Sequence, residues 1–253
     1  MVFSRNVWYT VFHQQARSDQ ATCLFRIKMK WFNIAIDGPA GAGKSTIAKQ
    51  VAKKLGFVYV DTGAMYRAMA LHVLRLQIDP ADEEAVSRAC LDADITIRYE
   101  DGSQQVFLNG ENVSGLIRAE EVGRMASATS AYKEVRKKLV ELQKKLASQA
   151  DVIMDGRDIG TCVLPDAPVK IYLTASVKVR ARRRFDELVQ KGISCELSEI
   201  EKDIEDRDYR DMHREQSPLK KAEDAVLLDS SDMTIDQVVE AIIRIAREKG
   251  EQP

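Results

Sequence analysis

The 253-residue chain reads as an α/β protein, three layers deep, with a five-stranded parallel sheet between helices. Three observations lead there. Five short apolar runs alternate with helical patterns: Ile34-Ala35-Ile36-Asp37, Val58-Tyr59-Val60-Asp61, Val152-Ile153-Met154-Asp155, Ile171-Tyr172-Leu173-Thr174 and Ala225-Val226-Leu227-Leu228-Asp229. Unbroken apolar strands separated by helices indicate a parallel sheet covered on both faces. Four of the five runs end in aspartate, and the carboxyl ends of such strands are where α/β sheets bind ligands. The first run opens directly into Gly38-Pro39-Ala40-Gly41-Ala42-Gly43-Lys44-Ser45, ahead of a helix-forming stretch from Thr46 to Lys54.

That loop has a physical reading. Glycines let the backbone curl until successive N–H groups face one anion, and the new helix adds its positive dipole end. Lys44 supplies a mobile charge for terminal phosphates, and the Ser45 hydroxyl can ligate Mg²⁺. The strand–loop–helix context separates this segment from a glycine-rich turn that merely ends in Lys-Ser.

The remaining elements follow in order. Gly56 is placed to end the first helix. The second run leads into Asp61-Thr62-Gly63-Ala64-Met65-Tyr66-Arg67, with Arg67 one turn into the next helix, suited to a bidentate grip on phosphate. Met65, Met69 and His72 read as core. Two apolar-polar segments around Asp101-Gly102, with a second turn at Asn109-Gly110, predict a hairpin and a third short strand. This small β-rich insert sits between the second and third core strands. Val135, Leu139, Leu142 and Leu146 form the buried stripe of a further helix. The third core run leads into Asp155-Gly156-Arg157-Asp158-Ile159-Gly160-Thr161, an Arg-Asp pair flanked by glycines at a strand's carboxyl end. Alone it would be a surface turn; beside a phosphate loop it is a candidate acceptor site. Arg180 to Arg184 opens one helix, and Arg207, Arg210 and Arg214 share a face of the next, with Asp211 four residues after Arg207. Between them Gln190-Lys191-Gly192-Ile193-Ser194 reads as flexible, the arrangement of a lid that excludes water. Thr234 with Gln237 is a capping box opening the last helix, whose apolar face is Val238, Ile242 and Ile245.

Formal net charge is −1, so any anion site is local, and no global field draws the chain to nucleic acid or membrane. The cysteines Cys23, Cys90, Cys162 and Cys195 have no metal-ligand spacing and are expected as reduced, mostly buried thiols. No apolar run reaches the length of a membrane span. Residues 1–28 carry four basic residues against one acid and precede Met29. A non-native or misassigned start is the favoured reading of this extension, disordered or foreign to the domain; a basic transit peptide and an ordered accessory segment are the others.

Taken together, the phosphate loop, the Asp61–Arg67 and Asp155–Thr161 segments, and Arg207…Asp211…Arg214 followed by Ser217-Pro218-Leu219 resemble the bacterial cytidylate kinase family over about residues 31–249. The resemblance implies a P-loop NTPase core, a nucleoside-monophosphate-binding insert over about residues 93–125 and a helical lid over about 180–214. It implies transfer of the ATP γ-phosphoryl group to CMP or dCMP with Mg²⁺ as cofactor, in a cytoplasmic monomer with small-molecule partners only. Carried onto this chain, Gly38 to Thr46 hold ATP, with Ser45 on Mg²⁺. Thr62, Ser127, Arg136 and Asp158 hold the acceptor, the last three reading cytosine. Arg67 and Arg157 take the acceptor phosphate, Asp211 and Arg214 the ribose. Lys44, Arg157 and Arg207 are the catalytic cations. Cytosine offers an amino donor and two acceptors, which a carboxylate, an arginine and a hydroxyl complement. Rival readings are another small-molecule kinase on this scaffold and a GTPase-type switch, whose Asn-Lys-x-Asp guanine reader is absent.

Overall fold

The computed structural model describes residues 31–100 and 102–250. The N-terminal extension, with Cys23 and His13, and Asp101 of the hairpin turn lie outside the described residues. Five strands form one parallel sheet: β1 (Ile34–Asp37), β2 (Val58–Asp61), β6 (Val152–Gly156), β7 (Val169–Thr174) and β8 (Val226–Asp229), in the order β2-β6-β1-β7-β8.

Alternation along the strands sorts two cores. Ile34, Ile36, Ile153, Ile171 and Leu173 pack against Ile47 and Val51 of α1 (Lys44–Leu55) and Val239, Ile242 and Ile243 of α8 (Ile235–Gly250). On the opposite face Ala35, Val60 and Met154 meet Met65 and Met69 of α2 (Thr62–Arg75). The same core takes in α3 (Glu83–Asp92), α4 (Glu120–Thr129) and α5 (Lys133–Ala147). Val135 and Leu139 are buried as their spacing predicts, with Leu142 and Leu146 half-buried at the rim. β8 departs from expectation. It is an edge strand, and Val226 and Leu227, which point to opposite faces, are 38% and 58% exposed, so its apolar run is only partly covered.

The insert is an antiparallel sheet of β3 (Ile95–Glu100), β4 (Ser103–Leu108) and β5 (Glu111–Asn112). Asn109 and Gly110 both have positive φ, 51° and 83°, the two-residue turn that matches strand twist. Its side chains finish the outer edge of β2. Gln104 accepts from the Asp61 amide at 2.9 Å and donates to the Asp61 carbonyl at 3.2 Å, while the Tyr99 hydroxyl donates to the Tyr59 carbonyl at 3.2 Å. Backbone groups that an edge strand leaves open are thus closed without a sixth strand.

Helices α6 (Val177–Gln190) and α7 (Leu197–His213) form a hairpin with its own small core of Ala181, Ile200 and Ile204. The segment between them, expected as slack, is a hydrogen-bonded turn: Gly192 has φ 71°, its amide donates to Val189 and the Ile193 amide to Leu188. The capping box at Thr234 and Gln237 forms in both directions, at 2.8 and 3.3 Å.

Candidate active site

The strand order brings three separate segments to one edge. β2, β6 and β1 are neighbours, so the Asp61–Arg67 segment, the Asp155–Thr161 segment and the phosphate loop stand side by side at their carboxyl ends. Register sets their levels: Asp155 lies beside both Ile36 and Asp61, and Gly156 beside Asp37.

The phosphate loop needs its glycines. Gly38 has φ 150°, and a Cβ there would lie 1.9 Å from the Leu173 carbonyl oxygen. Gly43 takes φ 84° as the N-cap of α1, a conformation costly for any residue with a Cβ. Lys44 is buried and its Nζ donates to the Pro39 carbonyl at 2.7 Å across the loop. Burial, and then Arg157, push its ammonium down to about 7. Ser45 Oγ donates to Asp155 Oδ2 at 2.9 Å, and the Tyr59 hydroxyl donates to Asp155 Oδ1 at 2.8 Å. Burial, with Asp61 adding to it, raises Asp155 above the ordinary carboxylate range.

The side expected from the sequence to take an acceptor is built by β6 and its neighbours. The Thr62 hydroxyl donates to the Asp155 carbonyl at 2.6 Å. Gly156 has no room for a side chain: a Cβ would sit 2.7 Å from Ile159 Cδ1 and 2.9 Å from Thr62 Oγ1. The chain then enters a single π-helical turn, Ile159–Val163, an irregularity common at functional sites. Just before it, Arg157 Nε donates to Asp211 Oδ2 at 2.8 Å, and Asp158 forms a buried ion pair with Arg136 of α5. Arg214, half-buried at the end of α7, stands 3.8 Å from the other Asp158 oxygen. Asp211 is pushed up by burial but held below its ordinary value by Arg157, Arg207 and Arg214 together.

Arg67, Arg157 and Arg207 converge. Burial and then neighbouring cations lower Arg67 and Arg207, with Arg157 acting on both and Arg67 acting on Arg207. The expected partner of Asp211 was Arg207, four residues before it; the carboxylate pairs with Arg157 instead, and Arg207 Nε is buried without a partner. Buried donors left open in this way suit an anionic ligand. Arg210, placed by spacing on the same face, is exposed, and Arg214 lies just beyond the helix end, its amide donating to the Arg210 carbonyl. Ser127 is half-buried on α4; its carbonyl accepts from Ser130 Oγ, and the Ser130 carbonyl accepts from Arg136.

Three residues at this edge were missing from the candidates, and a fourth was given a different task. Asp155 and Asp37 were visible as strand-end aspartates without assigned tasks. Tyr66 has a buried hydroxyl with no partner, and its ring lies 6.0 Å from the Arg136 guanidinium. Arg180, expected as a mobile lid arginine, is buried. Its Nε donates to the Ala175 carbonyl, a terminal nitrogen donates to the Ala40 carbonyl of the phosphate loop at 2.9 Å, and the other meets Asp208 at 2.6 Å. The rest of that arginine run divides: Arg183 holds the Ser230 carbonyl, while Arg182 and Arg184 are solvated ion pairs with Asp186 and Glu187.

Curated cytidylate kinases from Lactobacillus gasseri and Caldicellulosiruptor bescii are 54% and 50% identical over 85% and 86% of this chain, covering 94% and 96% of their own lengths. Among solved structures, a gluconokinase from Sinorhizobium meliloti spans 88% of this chain and 96% of its own at 14% identity and a TM-score of 0.46, too loose a likeness to bear on substrate. The cytidylate kinase family model matches residues 34–248, the whole sheet with its insert and helical hairpin, and the chain belongs to that family.

Proposed function

We propose that this chain, a nucleoside monophosphate kinase by family, transfers the γ-phosphoryl group of ATP to CMP or dCMP, giving ADP and CDP or dCDP. The observation that carries the reading is the juxtaposition of Arg67, Arg157 and Arg207 with the buried Arg136–Asp158 pair, on the sheet edge that holds the phosphate loop. Three cations suit an acceptor that bears a phosphate, not a neutral one. A carboxylate at the base-reading position accepts from the cytosine amino group and is repelled by the uracil carbonyl.

Phosphoryl transfer of this kind needs no covalent enzyme intermediate. The acceptor phosphate is already a nucleophile, so the protein positions two anions in line and neutralises charge. The loop amides and Lys44 hold the donor. Arg67 and Arg157 hold the acceptor phosphate, with Arg207 beside the transferred group. Thr62, Ser127, Arg136 and Asp158 hold the acceptor, the last three reading its base, and Asp211 and Arg214 hold the ribose. Ser45 Oγ and the Asp155 carboxylate are neighbouring hard oxygen donors, the type that holds Mg²⁺ alongside phosphate oxygens. When bound, the ion neutralises charge on the polyphosphate. The insert over about residues 93–125 then serves the acceptor nucleotide, and the helical hairpin over about 180–214 closes on the phosphates.

Free thiols at Cys90, Cys162 and Cys195 suit a reducing, cytoplasmic setting. Among the described residues no helix is long and apolar enough to cross a membrane. We read the chain as a monomer acting on small molecules, without nucleic acid or membrane as partner.

The test is ADP formation from Mg·ATP with CMP, dCMP, UMP, AMP, GMP and shikimate offered separately. Strong turnover with CMP and dCMP and weak turnover with UMP is expected. Preference for another acceptor would overturn the cytosine assignment and keep the kinase scaffold.

A further inference from the structure

Asp37, the last residue of β1, is buried, and of the phosphate loop's ligand-facing groups Lys44 is near enough to act on its charge. Its carboxylate points across to the segment after β6. Oδ1 accepts from the Ile159 amide at 2.8 Å and Oδ2 from the Gly160 amide at 2.7 Å. These are the first two N–H groups of the π-helical turn, and the residues just before them are Arg157 and Asp158. The fit is close on both sides. A Cβ on Gly160 would lie 3.3 Å from Asp37 Oδ2 and 3.2 Å from Lys170 Cδ. The cost is also evident: Asp37 is 5% exposed, and burial raises its carboxyl to about 6 in spite of the two amides. A buried carboxylate kept on a sheet edge against that penalty needs a task, and a hydrophobic residue would fill the place without it.

We propose that Asp37 is a positioning residue for acceptor recognition, its two-amide grip setting where the Arg157–Asp158 segment presents its side chains. This rests on the acceptor roles given above to those two residues. Neighbouring elements hold the segment through Thr62 on the Asp155 carbonyl, Asp211 on Arg157, Arg136 on the Asp158 carboxylate, and Asp37 on the Ile159 and Gly160 amides. The first two contacts lie before and at Arg157, and the third reaches the Asp158 side chain. The Asp37 pair fixes the backbone immediately after Asp158, so it sets the direction in which the Asp158 carboxylate leaves the backbone. Asp37 touches neither substrate; it acts through the loop. Because it belongs to the strand that feeds the phosphate loop, it also ties donor and acceptor sides of the site to one rigid element.

The test is Asp37→Asn, which is isosteric but opposes one loop N–H with its own NH₂. A displacement of about 1 Å at a reacting or reading group can cost about 10²-fold, so CMP kcat/KM should fall by about that factor. The preference for CMP over UMP should fall by about tenfold or more. Simple loss of folded protein would not move that ratio. Gly160→Ala presses on the same contact from the other side and carries the test if Asp37→Asn does not fold; a smaller shift in the same direction is expected. Folded variants whose CMP kcat/KM and CMP-to-UMP ratio both stay within about twofold of wild type would overturn the proposal. A wild-type chain that prefers a different acceptor would overturn the cytosine reading instead, and loss of that preference in Asp37→Asn would still support the positioning role.

Discussion

Arg157 Nε donates to Asp211 Oδ2 at 2.8 Å, joining the loop after β6 to the last turn of α7 across 54 residues of sequence. The pair fixes the guanidinium from one side, and one terminal nitrogen donates to the Gly156 carbonyl at 3.4 Å. The pair also frees Arg207, whose buried Nε has no partner.

If Arg157 shares transition-state charge, Arg157→Ala lowers kcat by about 10²-fold or more, as loss of one electrostatic donor does elsewhere. Asp211→Ala, by contrast, raises the KM for CMP with a smaller effect on kcat. Steady-state kinetics of both variants checks this. A kcat within about threefold of wild type for Arg157→Ala would sink the assignment.

The Arg136–Asp158 pair predicts specificity and stability together. Asp158→Asn replaces an acceptor by a group that also donates, so it should narrow the gap between CMP and UMP by about tenfold, about 1.4 kcal/mol. Arg136→Met leaves Asp158 buried with Arg214 alone and should cost about 3–5 kcal/mol of stability, as breaking a buried pair from one side does. Competing-substrate assays and denaturant unfolding measure the two effects.

Lys44 predicts a pH dependence with a definite sign. Its ammonium is pushed down to about 7 by burial and Arg157, and bound phosphates favour the charged form. Above that value the free protein must take up a proton to bind, so ATP affinity falls by up to about tenfold per unit from about pH 7 to about pH 9. Calorimetry in buffers of different ionisation heat should show proton uptake on binding at the alkaline end. Flat affinity with no uptake would contradict the shift.

Arg180 predicts a donor-side effect from a residue outside the phosphate path. Arg180→Met strands Asp208 and the Ala40 and Ala175 carbonyls, each a buried group worth about 1–3 kcal/mol when unsatisfied. The KM for ATP should rise more than that for CMP, because Ala40 belongs to the phosphate loop. Equal changes in both would mean that Arg180 only holds the helical hairpin together.

Ser45→Ala removes the hydroxyl beside Asp155. The Mg²⁺ concentration for half-maximal activity should rise by about tenfold or more. A magnesium titration unaffected by the change would remove Ser45 from the metal site.

The sequence alone determined the strands, the phosphate loop, the hairpin insert and the capping box, since each depends on residues within a few positions of one another. Glycines at Gly38 and Gly43, the Asn109-Gly110 turn and Thr234 with Gln237 are short-range signals of backbone conformation. Tertiary structure decided what no local pattern carries: that β6 inserts between β2 and β1, that Asp211 accepts its hydrogen bond from Arg157 while Arg207 acts on it through charge alone, and that Arg180 holds the Ala40 carbonyl of the phosphate loop. Partner choice among buried charges depends on strand order and register, which set distances between residues a hundred positions apart. Spacing along one helix offers Arg207 to Asp211; the sheet brings Arg157 to it, at 2.8 Å.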